Sequence, residues 1–196
     1  MYLKKKNIIA KNILIGSLPG DLNLQYMGLN WRIRAIQHKK HEDWLRIVHF
    51  HLEPDPMRVL KYDRYNRVWF NTLTLDSHEL SSIGFKFYPF ATALSLGRKI
   101  IPSDIKYLLT EPVGLAAWFM DDGSRRGTSG YILCTDCFED AEVELLRETL
   151  AVNFDIVDTS INRKDGNPRL RIKAGSATRF RNLVEPHIVP SFRYKL

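Results

Sequence analysis

Long apolar runs are missing from this 196-residue chain. No stretch approaches the roughly 18–20 residues that a helix needs to cross a bilayer, so a membrane-spanning segment is not expected. The basic start at residues 1–6 leads into an apolar stretch that Lys11 and Asn12 interrupt. No cleavage-site pattern follows it, so no secretion signal is expected. Cysteine is scarce, limited to Cys134 and Cys137 in the order Cys-Thr-Asp-Cys. With no second cysteine pair and no histidine pair at ligand spacing, a zinc site or redox pair is disfavoured. Cys134 reads as a strand residue and Cys137 as a residue at the strand's end. Two free thiols fit a reducing compartment, so the expected location is intracellular, a prokaryotic cytoplasm or an organelle matrix. Acids are also in deficit, 22 against 29 lysines and arginines, for a net charge of +7 and a pI near 9.4. This favours a polyanion as partner, nucleic acid ahead of a membrane surface.

Residues 110–123, TEPVGLAAWFMDDG, organise what is present. Pro112 suits the first turn of a helix. Leu115, Trp118 and Phe119 recur at helical spacing, and Gly123 is a stop residue. Asp121 and Asp122 end the helix, where the backbone dipole already carries partial negative charge. Acids there cost a few tenths to about 1 kcal/mol, which suggests that a cation belongs nearby.

In chain order the pattern predicts a helix over 7–20 with Gly16 and Gly20 four apart, limited by Pro19 and followed by Asp21. Next come a strand at Trp31–His38, a helix over 41–52, and a hairpin over 57–75 with its turn at 63–67. A helix over 76–90 capped by Asp76 and a connector over 91–106 complete the first part. The helix over 110–123 opens the second part. After it come a strand over 129–136, a helix over 139–153, a strand over 156–162, a turn over 164–168, a strand over 169–173, a helix over 176–186 and a tail. Each part reads helix ending in Asp, strand, helix, hairpin, helix. The chain is therefore read as a duplication, with halves at residues 1–106 and 107–196 forming one pseudo-dimeric unit. Trp31, Trp44, Trp69, Trp118 and the phenylalanines are read as core, and the isolated histidines are given no role.

Two segments, LIGSLPGDL at 14–22 and LAAWFMDDG at 115–123, resemble the paired signature of the LAGLIDADG homing endonucleases, in their single-chain, two-motif subfamily. The likeness extends to Lys99-Ile-Ile-Pro102, to Val189-Pro190 and to Tyr194-Lys195-Leu196, and so covers essentially the whole chain. The first motif departs from the pattern, with Pro19 in place of a helix former and Leu22 in place of the usual glycine. The resemblance implies an α+β fold of two αββαββα-type halves. Motif helices pack at its centre, Gly16 and Gly20 against Ala117 and its neighbours, and saddle-shaped antiparallel sheets face DNA.

It also implies a monomeric, sequence-specific endonuclease making metal-dependent double-strand cuts in a DNA target site. Asp21 and Asp122 are the expected ligands for Mg²⁺, as two or three ions shared between them, with the backbone carbonyls of Gly20 and Asp121 assisting. Hard oxygens suit that cation, and metals let carboxylates approach phosphates. Lys99 and Lys195 match lysines that stand near each active centre, to orient water or stabilise the pentavalent phosphate. Gln37, at the end of the first strand, orders water, and Asp136 holds the corresponding place in the second half.

DNA contact is read from the strands. Arg169, Arg171 and Lys173 alternate with Leu170 and Ile172, making one face basic and the other apolar. Arg163 and Lys164 extend that basic patch. In the first half Arg32 and Arg34 share a face, and Arg58, Lys61, Arg64 and Arg67 surround the hairpin. Arg125 and Arg126 follow the second motif, near the cut. The alternatives are an intron RNA maturase, a non-cleaving DNA-binding regulator on the same fold, or a basic scaffold domain. Nucleic-acid affinity should fall steeply as salt rises. A filter-binding titration showing no salt dependence would leave only the scaffold reading.

Overall fold

The apolar run after residue 7 forms α1 (Ile8–Ser17). Pro19 has no N–H to donate and crowds the preceding turn, so the helix stops three residues short of Gly20. Residues 18–21 form a turn in which Gly20 and Leu22 both donate backbone bonds to the Ser17 carbonyl. The computed structural model describes residues 8–55, 58–72, 78–127 and 130–196. The basic start, Asn7, Met57, residues 73–75 of the expected hairpin, the Asp76 cap and Ser129 lie outside the described residues.

Strand β1 (Asn23–Tyr26) pairs antiparallel with β2 (Trp31–His38), Asn23 opposite Arg34 and Gln25 opposite Arg32. Helix α2 (Glu42–Leu52) follows, with acids Glu42 and Asp43 in its first turn. The hairpin is β3 (Lys61–Tyr62) and β4 (Arg67–Asn71), turned at Asn66 with φ +56°. Then come α3 (His78–Phe87) and, late in the expected connector, the short α4 (Ile105–Leu108).

The second repeat opens with α5 (Pro112–Asp122) and passes straight into β5 (Gly123–Arg125). Strand β6 (Tyr131–Cys134) and α6 (Asp140–Phe154) follow, α6 capped reciprocally by Glu139 and Glu142. Strands β7 (Thr159–Lys164) and β8 (Asn167–Ile172) meet at Asp165 and Gly166, both with positive φ, as a tight two-residue hairpin requires. Helix α7 (Ala174–Val184) precedes a 3-10 segment, Pro190–Lys195.

Both sheets are antiparallel with like order, β1-β2-β4-β3 and β5-β6-β8-β7. Helices cover one face of each. Leu24, Ile33, Ala35, Val68 and Phe70 are buried with Trp44, Leu45 and Val48, and Leu133, Leu170 and Ile172 with Val143, Leu146 and Leu150. The opposite faces carry mainly polar and charged side chains, with Trp69 and Ile132 among them. Trp69 is not core but lies half-buried on the open face under Lys61, and Phe50, Phe85 and Phe90 are exposed. Among the described residues no helix is long and apolar enough to cross a membrane.

The two repeats meet at α1 and α5. A Cβ built on Gly16 would lie 1.9 Å from the Gly114 carbonyl oxygen, and one on Gly114 would lie 2.7 Å from the Asn12 carbonyl oxygen. Gly16 therefore packs on Gly114, and Gly20 on the Asp121 side chain, three and four residues to either side of Ala117. Buried Asn12 fixes the register, its Oδ1 accepting from the backbone of Thr110 and Glu111 at 2.9 Å each. Gly16→Ala should destabilise the protein by about 1–3 kcal/mol through overpacking, since backbone rather than a flexible side chain must yield. Thermal unfolding checks it, at roughly 2–4 °C of Tm per kcal/mol, and an unchanged Tm would refute so tight a contact.

Candidate active site

Helix C-termini leave carbonyls without intrahelical partners, and here lysines meet them. Lys99 Nζ donates to the carbonyls of Leu18 at 2.6 Å, Gly20 at 3.2 Å and Leu22 at 3.4 Å. Lys195 Nζ does the same for Met120 at 2.5 Å, Asp121 at 3.4 Å and Phe119 at 3.5 Å. The cation anticipated at the acidic helix end is thus present in each repeat as an ammonium. Burial draws both lysines below their ordinary pKa, partly countered by Asp21, Asp121 and Asp122.

Those three carboxyls form one electrostatic cluster. Burial pushes Asp122 up to about 6, and the neighbouring Asp21 charge adds to this, while Lys99 and Lys195 oppose it. Asp21 is raised chiefly by burial, against a hydrogen bond from Gln37 and the same two lysines. Asp121 is held well above the ordinary carboxylate range, by burial and then by Asp21. Its side chain crosses into the first repeat, where Oδ1 accepts from Trp44 Nε1 at 3.0 Å and Gln37 Nε2 at 3.2 Å. Gln37 Nε2 also donates to Asp21 Oδ2 at 2.7 Å. One amide therefore bridges the acidic ends of both motif segments. The Trp44 contact had no signal in the sequence, because it depends on α2 lying across the helix junction.

The two aspartates are not equivalent. Asp122 is the last residue of α5, whereas Asp21 sits in the turn beyond α1. Gln37 is bonded to Asp21, but Asp136 is locked to Arg169 Nε at 2.6 Å, and its charge raises Asp122 further.

The basic residues divide between the faces. On the open face of the first sheet Arg32 donates to Gln25 Oε1 at 2.8 Å, Arg34 is exposed opposite Asn71, and Arg67 pairs with Asp63 at 2.7 Å. Lys61 stacks over Trp69, Arg64 over Tyr65, and Arg58 bonds the Asn71 carbonyl beside Glu53. On the second sheet Arg169 and Arg171 line the open face with Ile132, Cys134, Ser160 and Asn162. Lys173 pairs with Asp158 at 2.6 Å, while Lys164 and Arg126 make no salt bridge to a described residue. Arg125 and Arg163 stand apart from these open faces. Arg125 shares the face of Tyr131 and Ile172, the helix-packed side, and donates to the Leu196 carbonyl at 2.6 Å. Arg163 shares the face of Leu170 and pairs with Asp140 on α6. Strand parity explains both, since one step along a strand reverses the face. Asn23, Gln25, Trp69, Asn71, Ser160 and Asn162 also line the open faces, and carry no charge pattern that would mark them in the sequence.

A family model described as the LAGLIDADG DNA endonuclease family matches residues 11–180. The DNA endonuclease I-ChuI of Chlamydomonas applanata is 29% identical over 207 aligned residues, covering 95% of this chain and 93% of that protein. Cytochrome b mRNA maturase bI2 of Debaryomyces hansenii is 36% identical over 103 residues, 51% of this chain and 38% of the maturase. Among solved structures, homing endonuclease I-WcaI bound to its DNA recognition sequence superposes with a TM-score of 0.75 at 23% identity, covering 97% of this chain and 86% of that one. I-DmoI G20S in complex with its target DNA in the presence of 2 mM Mg gives 0.55 at 12% identity, over 91% and 98%.

The raised Asp122 pKa sets a pH dependence for the metal-free protein. The folded carboxyl binds its proton more tightly than the unfolded one, so stability falls as pH rises from about 4 to about 6. Asp122→Asn should therefore stabilise the metal-free protein at pH 7, by about 1–3 kcal/mol after allowing for partial exposure. The gain should vanish below about pH 4. Denaturant titrations of both proteins with chelator across this range read the effect, and a pH-independent difference would contradict it.

Proposed function

The chain belongs to the LAGLIDADG DNA endonuclease family, and on that premise we propose that it cuts both strands of a specific DNA site by metal-dependent phosphodiester hydrolysis. It acts as a monomer, residues 1–106 and 107–196 each serving one strand. One observation carries the reading. The ends of α1 and α5 draw Asp21 and Asp122 into a single electrostatically coupled acidic cluster, open to solvent at Asp21 and half-buried at Asp122, between two like-ordered sheets with arginine-bearing open faces.

The donor set suits a hard divalent cation. Among the described residues no three His, Cys, Asp or Glu side chains form a ready-made metal cluster. Two carboxylates with water and substrate phosphate match Mg²⁺, which keeps several of its waters. Two or three such ions would be held by Asp21 and Asp122. The Gly20 and Asp121 carbonyls are further oxygens, each already accepting a long bond from a lysine. When bound, such ions polarise the phosphate, activate water and stabilise the leaving oxygen. Gln37 orients the Asp21 carboxylate. Lys99 and Lys195 supply fixed positive charge where the phosphate gains negative charge.

Arg32, Arg34, Lys61, Arg64, Arg67, Lys164, Arg169, Arg171 and Lys173 form the DNA-contacting set, with Arg58 and Arg126 at its margins. Phosphate contacts position the duplex, while Arg with Asn and Gln on the same faces can read base edges. Arg125 and Arg163 serve the fold instead. A maturase acting on intron RNA is the second reading, favoured by the identity with the Debaryomyces hansenii maturase over 51% of this chain. Retention of both aspartates favours cleavage.

Selection of cleaved sites from a random DNA library with Mg²⁺ should return one enriched target. On that target Asp21→Asn and Asp122→Asn should each abolish double-strand cleavage while gel-shift affinity survives. Continued cutting by the double variant would refute the assignment. A protein that binds but never cuts, yet speeds intron splicing, would establish the maturase reading.

A further inference from the structure

Each lysine stands on a segment tied down by the opposite repeat. Lys195 ends the 3-10 segment Pro190–Lys195, whose Ser191 reaches across to Asp43 in the first turn of α2. Asp43 Oδ2 accepts from Ser191 N at 3.1 Å and Oδ1 from Ser191 Oγ at 2.6 Å. His41 adds to the hold, its Nδ1 3.2 Å from Ser191 Oγ and its ring stacked on Phe192 at 3.9 Å. Lys99 has the mirror arrangement. Glu142, in the first turn of α6, accepts from Ile101 N through Oε1 at 3.0 Å and from Arg98 Nη1 through Oε2 at 2.7 Å. Residues that flank Lys99 in the chain, Arg98 and Ile101, are thus pinned by a single carboxylate.

Both carboxylates also serve their own helix. Asp43 Oδ1 accepts from Trp44 N at 2.8 Å, and Glu142 Oε2 from Glu139 N at 2.7 Å. A helix N-terminus favours a carboxylate on electrostatic grounds, and that stabilised anion is then shared with the lysine-bearing segment. Hydrogen bonds to an ionised acceptor are about twice as strong as neutral ones. Pro190–Lys195 and residues 98–101 are thus each fastened by a carboxylate in the first turn of a helix from the opposite repeat.

We propose that Asp43 and Glu142 are positioning residues, each holding the lysine of the opposite repeat on its helix end. Asp43 sets Lys195, and Glu142 sets Lys99. The consequence for catalysis rests on the endonuclease reading above: each strand's cut then depends on a carboxylate from the other repeat.

The test uses the full-length, metal-free protein and labels its amines by reductive methylation, read lysine by lysine in a mass spectrometer. In the wild type Lys99 and Lys195 should react slowly beside exposed Lys61 and Lys164. Asp43→Ala should speed Lys195 about tenfold, the scale of one lost hydrogen bond to a charged group, and leave Lys99 unchanged. Glu142→Ala should do the converse, and Glu142→Gln, which keeps an oxygen for Ile101 N, should restore protection. If Asp43→Ala does not fold, Ser191→Ala removes part of the same hold and should speed Lys195 alone. Equal acceleration of both lysines in each variant, or of neither, overturns the proposal. Where the wild type cuts DNA, Asp43→Ala and Glu142→Ala should accumulate nicks in opposite strands, and equal slowing of both strands counts against it. A wild type that cuts nothing refutes the endonuclease reading, and the labelling pattern then still decides the positioning role.

Discussion

The contact between Gly16 and Gly114 governs the rest of the molecule. Two helices approach so closely only where neither presents a side chain, and here even a methyl group would collide with a carbonyl. That closeness draws the ends of α1 and α5 together, and with them Asp21, Asp121 and Asp122. Asn12 keeps the helices from sliding, because its amide satisfies backbone N–H groups at the start of α5 that have no intrahelical partner. The sheets follow, since each strand order begins at the end of one of these helices.

The same closeness creates an electrostatic problem, with three carboxyls gathered where two helix dipoles also end in partial negative charge. The two lysines are the protein's internal answer, Lys195 bound to carbonyls in the last turn of α5 and Lys99 to carbonyls of the turn beyond α1. They do not cancel it, as the elevated Asp122 pKa shows. Surplus negative charge of this kind destabilises the protein alone.

The duplication is geometric more than chemical. Sheet order and the lysine contacts repeat, yet Asp21 lies in a turn where Asp122 ends a helix, and a neutral amide at Gln37 stands where Asp136 forms an ion pair with Arg169. Pro19 is the local cause of the first difference, because it ends α1 early. Much of the fold was legible beforehand. Strand Trp31–His38 and helices α2 and α6 carry long, regular patterns, and the structure keeps them within a residue or two. Strands β1 and β5 had no expectation of their own, since each directly follows a motif segment and spans only four or three residues. So short a segment shows no periodicity, and it becomes a strand only by pairing with its neighbour.

Local sequence determined what residues carry with them wherever they lie: net positive charge, the helical periodicity of the two motifs, the proline stop, the acids at the helix ends and the Lys99 and Lys195 positions. Tertiary structure decided everything that needs a partner from the other repeat. It set Gly16 against Gly114 and sent the Asp121 carboxyl to Trp44 and Gln37. It turned Arg125 and Arg163 to the helix side and joined Asp43 to the segment that bears Lys195. The physical reason is that periodicity reports which face of an element is buried, whereas a contact 77 or 148 residues away in the chain depends on how those faces dock.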